Sequence, residues 1–295
     1  MSDTLLCDLH THSTRSDGTL TPAELLDEAH RHGVHAIALT DHDTLDGLDE
    51  ASERGRALGI EVLAGVELSL SEDDGQRQSH LLGYGVSANS GPLREVLEQL
   101  RIAREQRADR SLDALCTQGI VLDRARVREI AGAGTIGRPH LARALVEAGH
   151  CSDLDDAFVR FLRTGRPAYV PAPGLSARDA IELVHRAGGV ASLAHPPLSI
   201  GIDREGGLEK FVGRLVALGL DGLEVDHPKH TPKQRRRLAR WCRDHGLLAT
   251  GGSDFHGADH PERRLGRSRD GRPLPHAIYE ALRERIERSS ATPLS

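Results

Sequence analysis

Short apolar runs alternate with helical segments along most of this chain, and nearly every run stops at a histidine or a carboxylate. Such alternation builds parallel strands flanked by helices, with the loops after the strands gathered on one face. The first run, Leu5-Leu6-Cys7, leads into Asp8-Leu9-His10-Thr11-His12. Side chains alternate faces along a strand, so His10 and His12 project on the same side and can share one divalent ion. Asp17, where the strand gives way to a loop, offers a carboxylate to the same cavity or a neighbouring one.

Further along, Thr21-Pro22-Ala23-Glu24 opens a helix with a capping residue, a proline at the first turn and a glutamate three residues on; Gly33 closes it. A strand over 35–40 ends in Asp41-His42-Asp43, and a helix over 47–58 leads to a strand over 61–66 that ends in Glu67. The polar stretch 71–78 reads as a hairpin or surface excursion. His80 alone precedes its run, which fits either an antiparallel segment or a misjudged direction. From 92 to 168 the pattern turns to helices without strands (93–118, 121–130, 139–148 and 154–162), the mark of a helical insertion domain between two parts of the main one, 1–91 and 169–295. Strand-like runs then resume and end in His195-Pro196, in Asp226-His227 and in Ser253-Asp254-Phe255-His256, before a tail helix over 276–288.

Bulk properties narrow the class. The 295 residues are 38% hydrophobic and 28% charged, as in a globular protein, and the net charge of −6 leaves no basic field for long duplex nucleic acid. Cys7, Cys116, Cys151 and Cys242 are scattered, which excludes a disulfide framework or a cysteine zinc knot and suits a reducing compartment. No apolar run reaches the length of a membrane span, so a cytoplasmic protein with no membrane partner is expected.

The recurring ligands are imidazole nitrogen and carboxylate oxygen, without thiolate, which favours Mn²⁺, with Zn²⁺ or Fe²⁺ as alternatives. They exceed what one ion uses, so two or three ions are expected, with Glu67 as the natural bridge. The motifs Asp8-Leu9-His10-Thr11-His12-Ser13, Ser16-Asp17-Gly18-Thr19, Leu39-Thr40-Asp41-His42-Asp43-Thr44, Gly65-Val66-Glu67, His80-Leu81-Leu82-Gly83, Ala194-His195-Pro196 and Gly252-Ser253-Asp254-Phe255-His256-Gly257 resemble, in order, those of the PHP (polymerase and histidinol phosphatase) family. Within the insertion, Ile136-Gly137-Arg138-Pro139-His140 and Gly165-Arg166-Pro167-Ala168-Tyr169-Val170-Pro171 resemble the subfamily of nucleoside 3′,5′-bisphosphate phosphatases and enzymes that trim short RNA from the 5′ end.

This resemblance implies a distorted seven-stranded (β/α) barrel carrying a trinuclear site. One ion would take His10, His12, Glu67 and Asp254; a second would share Glu67 and add His80 and His195; a third would take Asp17, His42 and His256. Glu67, His195 and Asp254 are then the groups closest to the chemistry, and a metal-bridging hydroxide is the expected nucleophile. The implied activity is release of phosphate from a nucleoside 3′,5′-bisphosphate, with 5′-phosphorylated short RNA as a second substrate.

Outside the ligands, Arg138 can fork a phosphate, Gly137 lets a backbone come close, and His140 follows at the start of a helix whose N-terminus favours anions. Arg15 lies beside the first metal loop, and His227 and His230 end another strand as candidates for a proton donor, His230 slightly favoured. His30, His32, His35, His150, His185 and His245 match no ligand motif and are expected at the surface or at helix ends.

Rival readings are a histidinol-phosphate-type phosphatase, a 5′–3′ exoribonuclease and a metal-stabilised module that binds RNA ends without turnover. An amidohydrolase with a modified lysine bridge is disfavoured, because Lys occurs only at 210, 229 and 233, none at the required strand end.

Overall fold

The structure, a computed structural model, describes residues 5–71, 78–172, 174–199 and 207–291. Its strands are β1 (Leu6–Thr11), β2 (Val34–Leu39), β3 (Glu61–Ser71), β4 (Gln78–Tyr84), β5 (Val190–Leu193), β6 (Gly222–Asp226) and β7 (Leu248–Gly251). The helices are α1 (Pro22–Arg31), α2 (Leu48–Leu58), α3 (Gly91–Thr117), α4 (Arg124–Ala131), α5 (Arg138–Glu147), α6 (Leu154–Ala157), α7 (Ala177–Arg186), α8 (Pro196–Ser199), α9 (Gly207–Ala217), α10 (Pro232–His245) and α11 (Ala277–Ala291).

The strands form one seven-stranded sheet in sequence order. β1, β2 and β3 run parallel, β4 is antiparallel to both β3 and β5, and β5, β6 and β7 are parallel again. The sheet curls round until β1 meets the chain that follows β7: Thr11 bridges Phe255, Leu6 bridges Pro275, and His12 N–H donates to the Phe255 carbonyl at 2.9 Å. Gly252 permits this approach, since a Cβ there would lie 2.3 Å from the Cβ of His10. This is the distorted (β/α) barrel that the motifs imply.

One detail differs from the reading of the sequence, and the alternative left open at His80 is decided for the antiparallel segment. β3 does not stop at Glu67 but continues to Ser71, because its last turns are paired by β4, which sets Ser69 opposite His80 and Glu67 opposite Leu82. His80 precedes its run because β4 is antiparallel, so its beginning lies at the mouth where the parallel strands end. The proposed tip of this hairpin, 72–77, lies outside the described residues.

Each helix layer covers a sheet face with its apolar stripe. Leu25, Leu26 and Ala29 of α1 and Ala51 of α2 cover Leu6, Ile37 and Leu39. Ile181 and Val184 of α7, Leu215 of α9 and Leu238 of α10 cover the opposite half around Leu68, Leu193 and Leu223. Tyr279 and Leu282 of α11 pack onto Cys7, Leu9, Leu82 and Tyr84, and His276 N–H donates to Leu5 O at 2.9 Å. α11 therefore closes the end of the barrel away from the histidines.

The helical stretch 91–162 carries a core of its own. Leu112, Leu115, Val127, Leu141, Leu145 and Leu162 form a cluster separate from those of the sheet, while Leu93 and Leu97 at the start of α3 belong to the sheet's core. α3 thus roots the helical unit in the barrel. Gly134 seats it against the loop after β1: a Cβ there would fall 2.7 Å from Thr14 O and 2.8 Å from Ser16 O.

Candidate metal centre

The strand ends deliver His10, His12, Asp17, His42, Glu67, His80, His195, Asp254 and His256 to one mouth. Glu67 is at its middle. Its Oε2 lies 3.2 Å from His10 Nε2, 3.2 Å from His12 Nε2 and 3.2 Å from His42 Nδ1. Its Oε1 lies 2.8 Å from His80 Nδ1 and 3.0 Å from His195 Nε2. Asp254 Oδ1 stands 3.5 Å and 3.4 Å from the same nitrogens of His10 and His12. On the other flank, Asp17 lies 3.3 Å from His256 Nε2 and 3.8 Å from His42 Nε2. His42 consequently shows one ring nitrogen to Glu67 and the other to Asp17, between the two sides of the cluster.

These donors fit divalent cations. Ligand atoms about 2.1 Å from one ion lie roughly 3.0–3.4 Å from one another, close to the spacing found here. His10 Nε2, His12 Nε2 and His42 Nδ1 are buried and make no hydrogen bond, as lone pairs kept for a cation would. Three groups bring ligand atoms within 4.8 Å of one another: His12, Asp17, His42 and His256; His10, His12 and Glu67; and His42, Glu67 and His80.

The local structure fixes the rings. His10 Nδ1 donates to Glu224 at 2.9 Å, which turns Nε2 into the cavity, and the other Glu224 oxygen accepts the His195 backbone N–H at 2.7 Å. His256 Nδ1 is 2.8 Å from the Asp254 carbonyl, directing Nε2 towards Asp17. Buried Asp41 accepts from Ser13 N–H and from the Ser13 and Ser16 hydroxyls, holding the loop that carries Asp17. Asp43, His195 and Asp254 all have positive φ (52°, 27° and 51°), a strained backbone that marks the ends of their strands.

The electrostatics follow from burial among opposite charges. Burial opposes ionisation of Glu67, but the imidazoles of His42, His10 and His80 hold its carboxyl well below the usual range. Asp17 is depressed likewise, by His256 and His42 against burial, and Asp254 by Arg263 and His10 against burial. Burial also opposes protonation of His10, yet Glu224, Glu67 and Asp254 raise it well above the ordinary histidine value. At His42 burial wins and keeps the ring neutral. Cations entering this cluster displace protons from imidazoles rather than from carboxylates.

A cavity of about 310 Å³ opens over the cluster, walled by Pro139, Phe158, Arg143, Arg163, Lys229 and Arg263. Phe158 begins a π-helical turn, Phe158–Leu162, a distortion common at functional sites. Arg263 Nη1 sits 2.8 Å from Asp254, and Arg143 reaches the Asp17 carbonyl at 2.7 Å while pairing with Asp259 at 2.6 Å. Arg143, Arg163, Lys229, Arg263 and Glu224 match no motif read from the sequence.

The expected substrate contacts fare differently. Arg138 is the first residue of α5, with its guanidinium carbon 5.9 Å from the ring centroid of Phe158. His140 is buried and its Nδ1 accepts the Gly137 N–H at 2.9 Å, so it caps the helix; burial drives its pKa down to about 4. A Cβ at Gly137 would meet nothing closer than 3.4 Å, so no contact within the chain demands glycine there. Arg15 turns away from the mouth, because Glu50 on α2 captures its guanidinium at 2.9 Å. Between the two late histidines, His227 is the nearer: its Nε2 donates to Asp254 at 3.2 Å while its Nδ1 accepts Lys229 N–H. His230 lies behind it, bonded to the Val225 carbonyl, and burial lowers it to about 4. His30, His32, His35 and His245 are exposed, and His150 and His185 half-buried.

A family model described as the PHP domain matches residues 8–120. The 5′-3′ exoribonuclease of Haemophilus influenzae is 38% identical over 253 residues, covering 84% of this chain and 89% of that protein. The 3′,5′-nucleoside bisphosphate phosphatase of Chromobacterium violaceum is 35% identical over 284 residues, covering 95% and 98%. The chain belongs to the PHP family. A crystal structure from Bifidobacterium adolescentis, assigned as a metal-dependent phosphoesterase, superimposes with a TM-score of 0.85 at 33% identity, covering 95% of this chain and 96% of that one. The PHP match begins at Asp8 and ends at Ile120, just past α3, so it holds the candidate ligands up to His80; the remainder of the cluster comes from the second half of the chain.

Proposed function

We propose that this PHP-family chain hydrolyses phosphate monoesters of small nucleotides, with nucleoside 3′,5′-bisphosphates as the preferred substrate and 5′-phosphorylated short RNA as a second one. The observation that carries the reading is the convergence of three unpartnered imidazole nitrogens on one oxygen of Glu67 beneath a cavity walled by arginine and lysine.

Two or three divalent cations, Mn²⁺ in our reading, would be held by His10, His12, Glu67 and Asp254, by Glu67, His80 and His195, and by Asp17, His42 and His256. Such ions lower the pKa of water towards neutrality and neutralise phosphoryl oxygens. The chain's own groups do the rest. Arg263 and Lys229 face the scissile phosphate from the cavity wall and add positive charge. His227, donating to Asp254, fixes that carboxylate. The cavity volume of about 310 Å³ suits a mononucleotide or the end of a short strand.

The exoribonuclease reading is favoured by the likeness to the Haemophilus enzyme. The deciding experiment measures phosphate or nucleotide release from adenosine 3′,5′-bisphosphate, a 5′-phosphorylated RNA trimer and histidinol phosphate, with Mn²⁺ present and after chelation. Highest kcat/KM on the bisphosphate is expected, and failure on all three substrates with metal bound would overturn the proposal.

A further inference from the structure

α10 concentrates positive charge in a chain whose net charge is −6. Between Pro232 and His245 it carries Lys233, Arg235, Arg236, Arg237, Arg240 and Arg243 against a single acid, Asp244. Two of these cations are held by the fold. Arg235 lies 3.5 Å from Asp226, and Arg237 pairs with Glu209 of α9 while its guanidinium carbon stands 5.3 Å from the Trp241 ring centroid. Lys233, Arg236, Arg240 and Arg243 are exposed, and among the described residues none of them pairs with a carboxylate.

These four share one face. At about 100° per residue they fall within an arc of about 80° opposite Leu238, which anchors the helix in the core. The stripe runs about 15 Å along the helix from Lys233 to Arg243. Helix stability does not account for it. Lys233 sits in the first turn, where the helix dipole favours acids, and the spacings 233–236, 236–240 and 240–243 set like charges against each other. A face that repels itself within the chain is complemented by a polyanion outside it.

The stripe begins beside the metal centre. β6 runs parallel to β5 and β7, whose ends lead to His195 and Asp254, so the loop after it, 227–231, opens at the same mouth. Lys229 in that loop lines the cavity. Thr231 then caps α10: its hydroxyl accepts the Gln234 N–H at 3.3 Å, and its own N–H donates to the Gln234 side chain at 2.8 Å. This capping box fixes the direction in which the helix leaves the loop. Lys229, Lys233, Arg236, Arg240 and Arg243 therefore form one cationic track from the cavity to the outer surface of the barrel.

We propose that the exposed face of α10 binds the backbone phosphates of single-stranded RNA, holding the part of a 5′-phosphorylated strand that trails from the mouth while its first nucleotide lies over the metal centre. The track rests on the reading above in which short RNA is a second substrate. Cations spaced along one line neutralise successive phosphates of a flexible strand and carry no base preference. Each contact releases counterions, so the hold weakens as salt rises. A 5′-phosphorylated dinucleotide ends near the mouth and gains little from the stripe.

The test compares wild type with a triple variant, Arg236→Gln, Arg240→Gln and Arg243→Gln together, both Mn²⁺-loaded. The substrates are a 5′-phosphorylated RNA dinucleotide and decamer, in KCl between about 50 and 200 mM. The ratio of kcat/KM for the decamer over the dinucleotide is expected to fall about tenfold in the variant at the lowest salt. The slope of log kcat/KM for the decamer against log salt is expected to become shallower by about two. Dinucleotide turnover and Tm stay at wild-type values, since all three side chains are exposed. An unchanged ratio and slope overturn the proposal. A wild type that cleaves neither RNA refutes the RNA-hydrolysis reading instead, and the stripe is then decided by fluorescence anisotropy of a labelled decamer. Salt-sensitive binding that the variant loses upholds it, and equal binding by both proteins rejects it. Sedimentation with vesicles of equal parts phosphatidylcholine and phosphatidylglycerol that the variant loses, with RNA kinetics unchanged, would assign the stripe to an anionic membrane surface and overturn the proposal.

Discussion

Glu224 accepts the Nδ1–H of His10 at 2.9 Å, and the opposite edge of that ring, Nε2, stands 3.2 Å from Glu67. The pair sets the tautomer of a central candidate ligand. Glu224→Gln keeps the shape but removes the charge that steadies the ring. Mn²⁺ affinity is expected to fall about 10–100-fold, as for other partners of metal-bound histidine, with the far-ultraviolet circular dichroism unchanged. Calorimetric titration with Mn²⁺ checks this, and wild-type affinity in the variant would contradict it.

Glu67 touches more of the cluster than any other candidate ligand described. In Glu67→Gln both metal content per chain and phosphate release are expected to drop, turnover by at least about 100-fold. Elemental analysis alongside the assay separates the two effects. A fully metallated and active variant would remove Glu67 from its bridging place.

Arg138 stands where α5 begins, beside the cavity wall. Arg138→Ala is expected to raise KM for adenosine 3′,5′-bisphosphate by about tenfold, a loss of roughly 1.4 kcal/mol, and much less for p-nitrophenyl phosphate. Steady-state kinetics on both substrates distinguish this from a general loss of structure, which would move both together.

Arg104 reaches from α3 to Asp43 and Ser69, with its side chain 11% and that of Asp43 1% exposed. Removing one partner of a buried pair strands the other. Arg104→Ala is expected to lower the unfolding free energy by about 3 kcal/mol, read from urea denaturation. A change below about 1 kcal/mol would mean that the Ser69 backbone and hydroxyl alone satisfy Asp43.

Asp221 joins three elements: it accepts from Ala191 N–H at 3.0 Å, meets His185 at 2.7 Å and meets Arg285 at 3.0 Å. Burial raises its pKa, but His185, the Ala191 amide and Arg285 outweigh burial and hold the carboxyl below its ordinary value. A depressed carboxyl contributes stability above its unfolded pKa, and that contribution disappears as pH falls through the folded value. The stability gap between wild type and Asp221→Asn is thus expected to narrow as pH drops from about 5 towards 3. Denaturation across that range tests it, and a gap that widens on acidification would reverse the sign.

Much of the site was legible because its signals are local. The period of two in a strand puts His10 and His12 on one side, and a break from apolar to polar marks the strand end at His42, His195 and Asp254. Helix starts were equally readable: the capping box of Thr21 and Glu24 is present, with Glu24 N–H donating to the Thr21 hydroxyl at 3.2 Å. Proximity in sequence to a metal loop says nothing of which way the long side chain of Arg15 turns; its pairing with Glu50 exists only in the fold.

The amino-acid sequence by itself determined which elements form and which ligand types stand at their ends, since periodicity, capping and strand termination act over a few residues. Tertiary structure alone decided that β4 runs antiparallel, that His227 rather than His230 meets Asp254, and that Glu224 orients His10 from 214 residues away. Those outcomes depend on which distant surfaces pack together, and the cost of burying a charge exists only once that packing has excluded water.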